Sequence, residues 1–173
     1  MGIQLQYNVY YTHFSLLLFI ISFALPFSSK FKFFILLNSI IVGIAGNLIM
    51  LRDYTLWVNW YQTKNPDADM TTMNLELQVS NFATHTCPMI IAFILLPFCT
   101  SYLTSTSDAI YWFIIEVVSI LLWSLLPNGN LITQHKIEDT YPNTQFLLNS
   151  LIFGCFFVFG LMVFLKRNMR TIT

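Results

Sequence analysis

The chain has 173 residues, of which 56% are hydrophobic and 17% aromatic, while only 9% are charged. Soluble domains carry roughly 25% charged residues, so a water-soluble fold is excluded, because it could not hide this much apolar surface. Eight lysines and arginines balance eight aspartates and glutamates, so no net charge favours nucleic acid. The lipid bilayer is the expected partner, and other membrane subunits are a further possibility.

Five apolar stretches follow one another along the chain, at 14–27, 33–51, 81–103, 109–126 and 146–165. Lipid offers no water to unpaired backbone groups, so stretches of this length must be helical. A crossing of ~30 Å takes about 20 residues, which the first stretch does not reach. The sequence therefore predicts an all-α, polytopic transmembrane bundle of about five spans, forming one integral membrane domain over 1–173.

Orientation follows from the basic residues that flank the spans. With five crossings, one face collects Lys30, Lys32, Lys166, Arg167 and Arg170, and the other collects Arg52, Lys64 and Lys136. The excess of basic residues on the first face predicts a cytoplasmic C-terminus. The connections 52–80 and 127–145 then share the outer face. Helical spacing of Tyr54, Trp57 and Tyr61 predicts an interfacial helix near 54–62.

Only two ionisable side chains lie well within the spans, His85 and Glu116. A central charge costs about 2.5–3.5 kcal/mol even on lenient insertion scales, so each needs a reason. Counted from the outer ends of their spans, His85 lies ~6 Å deep and Glu116 ~15 Å deep. Direct contact between the two side chains is therefore not expected.

Three asparagines on three helices share the depth of His85, namely Asn47, Asn81 and Asn149, with Thr84 and Ser150 nearby. They predict a polar pocket at the outer face. The group could simply hydrogen-bond between helices and hold the bundle together. It could equally be a catalytic or ligand site, since a shielded histidine can act as general acid or base. The sequence leaves both interpretations open.

Glu116 is expected to face the bundle interior as a binding residue, hydrogen-bonded to a neighbour such as Ser39. A proton or ion relay would need further acids, and no other span offers one. Small residues at helical spacing in the second span, Gly43 and Gly46 among them, predict close helix approach. Pro88 and Pro97 are expected to bend the third span near His85.

The strip N-F-A-T-H-T-C-P-M-I-I-A-F-I-L over 81–95 resembles the androgen-induced family of membrane threonine hydrolases and their small bacterial integral membrane relatives. Further similar features are K-F-F-I-L-L-N at 32–38, L-L-P-N-G-N after the fourth span and D-T-Y-P before the last. The resemblance covers about 33–167 and implies a related helical bundle. That family usually has six spans.

In those hydrolases a membrane threonine attacks a lipid ester with help from a histidine. The resemblance implies that His85 is the catalytic histidine. The position of the nucleophile is held by Ile35, which has no hydroxyl group. Cys87 is the best intrinsic nucleophile nearby, although it does not stand at the matching position.

Three classes of function therefore remain. The first is a membrane-embedded hydrolase or acyltransferase-like protein that acts on lipid esters through His85, active or inactive. The second is a structural or accessory subunit of a larger membrane complex. The third is a small transporter component that uses Glu116. No cofactor and no metal site is expected, and the sequence leaves open whether the protein is an enzyme.

Overall fold

The computed structural model describes residues 11–103, 105–125 and 144–169, and within them the chain is all-helical, as predicted. The helices are α1 Tyr11–Ala24, α2 Ser29–Arg52, α3 Tyr54–Lys64, α4 Met70–Asn81, a π-helix Phe82–Thr86, α5 Cys87–Leu95, a 3₁₀-helix Leu96–Tyr102, α6 Thr106–Leu125 and α7 Thr144–Met169. The predicted connection 127–145 lies almost wholly outside the described residues.

Helix α2 is the centre of the bundle. It is buried continuously over 35–43, and α1, α5, α6 and α7 all pack against it. A helix that is apolar all round is stable only when it is enclosed on every side. The polar side chains within this buried stretch, Asn38 and Ser39, therefore meet protein rather than lipid.

Helix α7 runs antiparallel to α2 along its length. At one end the Arg52 guanidinium carbon lies 4.1 Å from the centre of the Phe146 ring. Near the middle Gly154 packs on Ile41, because a Cβ added there would lie 3.1 Å from the Ile41 Cγ2 atom. This register brings the start of α2 level with the end of α7.

The same register gathers basic side chains at one end of the bundle. Lys30 and Lys32 open α2, while Lys166 and Arg167 lie in the last turns of α7. The Lys166 Nζ atom donates to the Thr106 hydroxyl at 3.4 Å, which adds the start of α6 to this end. These four cations therefore lie at one end of the bundle; Arg170, predicted to lie with them, is outside the described residues.

In the described ranges three helical segments are long and apolar enough to cross a membrane, Ser29–Arg52, Met70–Cys99 and Leu148–Asn168. At ~1.5 Å per residue, the 14 residues of α1 extend about 21 Å. That length is short for a ~30 Å hydrocarbon core. Helix α6 has 20 residues and carries Asp108 and Glu116. It is not among the three.

The third predicted span was expected to begin near Asn81, but its helix begins at Met70. The reason is an N-cap: Asp69 Oδ1 accepts hydrogen bonds at 2.9 Å from the amides of Thr71 and Thr72. Helix α3 covers the range 54–62, in which the sequence predicts an interfacial helix. Much of the connection predicted at 52–80 is thus a pair of helices, α3 and the start of α4.

Two side chains of α3 form hydrogen bonds with α4 and so connect the two helices. The Tyr54 hydroxyl donates to Asn74 Oδ1 at 2.8 Å, and the Tyr61 hydroxyl donates to Glu76 Oε2. Burial of Met73 and Leu77 supplies the apolar side of α4. The range 52–80 is rich in polar residues and for that reason resembles a loop in the sequence. In the structure these polar residues lie on the outward faces of two short helices, or on the faces by which the two helices pair.

Prolines account for two further differences from the predicted spans. Helix α1 stops at Ala24, short of the predicted end at Phe27, because the residue before Pro26 is disfavoured in the α conformation. The third span tightens into the 3₁₀-helix Leu96–Tyr102 around Pro97. Both prolines thus act on the ends of helices.

Candidate functional site

Asn47 is the centre of an outer polar cluster, which we define as Asn47, Asn81, Thr84, His85 and Thr86. Its Oδ1 atom accepts from Asn81 Nδ2 at 3.1 Å and from the Thr86 hydroxyl at 3.0 Å. Its Nδ2 atom donates to the Gly43 carbonyl of its own helix at 2.8 Å. Both lone pairs of the amide oxygen are therefore used. Asn47 ties α2 to α4 and to the π-helix.

His85 lies on the π-helix Phe82–Thr86, in which the amide of Cys87 donates to the carbonyl of Phe82 five residues earlier. Pro88 gives a physical reason for this wide turn. It has no N–H to donate to the Thr84 carbonyl, and in an α-helix its ring would press against that carbonyl. Such π-turns are rare and occur frequently at functional sites.

Two glycines of α2 let this turn come close. A Cβ at Gly46 would overlap the imidazole ring of His85, and one at Gly43 would lie 2.7 Å from the His85 carbonyl oxygen. The half-buried imidazole therefore rests directly on the backbone of α2. Neither glycine can be replaced without moving His85 or its helix.

The Thr84 side chain sets the state of the His85 ring. The Thr84 hydroxyl donates its hydrogen to the Ser80 carbonyl at 2.7 Å, and its oxygen lies 2.8 Å from His85 Nδ1. A hydroxyl has a single hydrogen, so at Nδ1 it can only accept. The neutral ring then carries its hydrogen on Nδ1. In this tautomer Nε2, on the side of Gly46, carries no hydrogen.

The other predicted members of this site are placed differently. The register of α2 and α7 puts Asn149 at the level of Asn47, but Asn149 is exposed. The buried residue at that level is Ser150, whose hydroxyl donates to the Phe146 carbonyl of its own helix. Cys87 is a half-buried free thiol two residues after His85. Residues two apart on a helix do not face each other.

A second polar cluster lies deeper and joins three helices. The Ser15 hydroxyl of α1 donates to Asn38 Oδ1 of α2 at 2.6 Å, and Asn38 Nδ2 lies 3.2 Å from Glu116 Oε2 of α6. Glu116 faces the interior, as expected, and is 1% exposed. Its partner is Asn38 rather than the suggested Ser39, whose hydroxyl bonds the Ile35 carbonyl. We call Ser15, Asn38 and Glu116 the inner polar cluster.

The two clusters are separate, as the predicted depths require. Asn38 and Asn47 are nine residues apart on α2, a rise of about 13 Å. Sequence reasoning did not identify Ser15 or Asn38 as site residues. The one sequence feature that could have indicated this cluster is the amide side chain of Asn38 within an apolar stretch. Among the described residues no three His, Cys, Asp or Glu side chains are grouped so as to hold a metal ion.

Compared with known proteins, the chain matches no protein-family model, no curated protein and no solved structure. The resemblance to the threonine hydrolases therefore rests on short motifs. At the position of that family's nucleophile, Ile35 is 2% exposed within the apolar core. An aliphatic side chain in this place supplies packing and no hydroxyl.

Proposed function

We propose that the chain is a multi-pass integral membrane protein with five spans and that its outer polar cluster hydrolyses lipid esters, with His85 as general base. The outward faces of α1 and α6 support the two crossings beyond the three apolar segments. These faces expose large apolar side chains at helical spacing: Leu17, Ile20, Phe23, Ile110, Ile114, Val118 and Leu121. Such faces are stable against acyl chains.

The bond between Thr84 and His85 carries the catalytic part of the proposal. A general base needs a fixed orientation and a basic nitrogen directed away from its support. The Thr84 oxygen holds Nδ1–H, and Nε2 is then the proton acceptor. The threonine thus orients the ring in the way that a second partner orients a catalytic or metal-bound histidine.

Water serves as the nucleophile in this scheme, because Ile35 has no hydroxyl and the Thr84 hydrogen is already donated to Ser80. His85 Nε2 takes a proton from water as the water oxygen bonds to the acyl carbon. The ester C–O bond then breaks, and the imidazolium returns the proton to the leaving alcohol. The outer cluster suits this chemistry because lipid esters lie just below the headgroups, at the predicted depth of His85.

Reconstituted protein assayed on a panel of phospholipid and neutral-lipid esters tests the proposal. General-base removal costs about 10²–10⁴-fold in rate, so His85→Ala should lose turnover by roughly that factor. Thr84→Val should lower kcat by disorienting the ring, while Thr84→Ser should retain activity because its hydroxyl can still accept from Nδ1.

Glu116→Gln is the matched control, since it changes the inner polar cluster, whose Asn38 lies about 13 Å from Asn47 along α2, and it should leave turnover unchanged. Wild-type turnover by His85→Ala would refute the general-base role. The wild type could instead show no turnover across the panel while His85→Ala has a lower Tm. This result would show that the cluster only stabilises helix packing, and it would favour the accessory-subunit function.

A further inference from the structure

We propose that Glu116 is a proton-binding site inside the bundle, which exchanges its proton through Oε1. This site is separate from the outer polar cluster and independent of lipid hydrolysis. The two carboxyl oxygens of Glu116 differ in their hydrogen bonding. Oε2 accepts from Asn38 Nδ2 at 3.2 Å, whereas Oε1 is buried and has no hydrogen-bond partner among the described residues.

The surroundings of Glu116 hold no counter-charge in the described part of the chain. Its hydrogen-bond partner there is the Asn38 amide, and Cys155 of α7 is also buried in the bundle. The Trp112 ring, one turn earlier on α6, is also buried. A carboxylate enclosed without a cation carries a large desolvation cost, which a single hydrogen bond from the Asn38 amide offsets only in part. The resting carboxyl is therefore neutral, and its hydrogen lies on Oε1, because Oε2 is the acceptor.

The hydrogen bonds of the inner polar cluster all run in one direction. Ser15 donates to Asn38, and Asn38 donates to Glu116. When the proton leaves Oε1, Asn38 Nδ2 still donates to the carboxylate and stabilises it, while the Ser15 hydroxyl holds the Asn38 amide in place. The cluster can thus accommodate both states of the carboxyl group. A purely structural carboxyl would instead have both oxygens satisfied.

A proton fits this site better than a metal ion. Calcium takes about six to eight oxygen ligands, and magnesium demands near-octahedral geometry. Here a single carboxyl oxygen is unused, and the described residues contain no group of three acidic, His or Cys side chains. The proton needs only that one oxygen.

Infrared difference spectroscopy of the protein in liposomes at neutral pH is the direct test. Wild type minus Glu116→Gln should show the carbonyl stretch of one protonated carboxylic acid, and transfer into D₂O should lower its frequency. Glu76→Gln, which alters an exposed carboxyl on α4, should leave the band in place. The Glu116→Gln side chain keeps an oxygen acceptor for Asn38, so this variant should fold.

A second variant tests the geometry. Asn38→Leu removes the donor to Oε2, so the same band should move to higher frequency while still shifting in D₂O. Absence of a protonated-acid band at Glu116 would overturn the proposal. A band that never shifts in D₂O would also overturn it, because the carboxyl would then be sealed and structural. Neither result depends on lipid-ester turnover, so failure here is distinguishable from failure of the proposed hydrolysis.

Discussion

The imidazole ring of His85 rests directly on Gly46, where the lack of a side chain lets the ring approach the backbone of α2. Contact of this kind makes the site sensitive to a single methyl group. The carbon of a methyl group added at position 46 would overlap atoms of the ring, so either the ring or the helix must move. The position of His85 is therefore set jointly by two helices.

Gly46→Ala should lower stability by about 1–3 kcal/mol, the usual cost of overpacking a filled interior, and should also displace His85. Gly160→Ala is the matched control, because a Cβ at Gly160 meets nothing within 4 Å. That change should be neutral or stabilise by up to about 1 kcal/mol through helix propensity. Thermal unfolding in detergent measures both variants, and equal effects would contradict the close contact.

Asn47→Ala should destabilise the bundle by about 1–3 kcal/mol, because Asn81 Nδ2 and the Thr86 hydroxyl lose their shared acceptor. In a double-mutant cycle, Asn47→Ala and Thr86→Val should be less than additive, since each removes the same hydrogen bond. Denaturation of the four proteins measures the coupling. Strict additivity would show that the bond contributes nothing to stability.

Cysteine accessibility tests the proposed five spans and orientation. After Cys87, Cys99 and Cys155 are replaced by serine, the thiol of Asn168→Cys should be protected in intact cells and labelled after permeabilisation. The thiol of Asn65→Cys, in the turn after α3, should be labelled in both conditions. Labelling of position 168 from outside would contradict the orientation. The same sidedness at both positions would contradict the three crossings proposed between them.

The N-cap of α4 should respond to acid. Hydrogen bonds from the Thr72 side chain and from the Thr72 and Thr71 amides lower the pKa of Asp69 below its usual 3.8. Because the folded pKa is depressed, the capping contribution is complete above the usual value and is lost as pH falls through the folded pKa. Amide NMR shifts of Thr71 and Thr72 should titrate in this acidic range.

Asp69→Asn supplies the control for that titration. Asparagine is as good an N-cap as aspartate and does not ionise. The variant should keep α4 and lose the acid titration of both amides. A titration that persists in Asp69→Asn would assign it to another carboxyl group.

The sequence by itself determined the solvent class and the helical character of this protein. A chain with 9% charged residues and long apolar runs must satisfy its backbone within helices wherever lipid surrounds it. The separation of His85 and Glu116 along the bundle also followed from the sequence, since rise per residue is fixed in a helix. The pairing of Asn47 with Asn81 could be anticipated from depth alone.

Only the tertiary structure decided which way each side chain faces and which atoms meet. Depth places Asn149 beside Asn47, but the rotation of α7 exposes Asn149 and buries Ser150. Counting along the chain suggested Ser39 for Glu116, whereas the face of α2 turned toward α6 carries Asn38. The rotation of a helix about its axis depends on contacts with every neighbour at once. A single apolar run, buried on all sides, contains no periodic pattern that would reveal it.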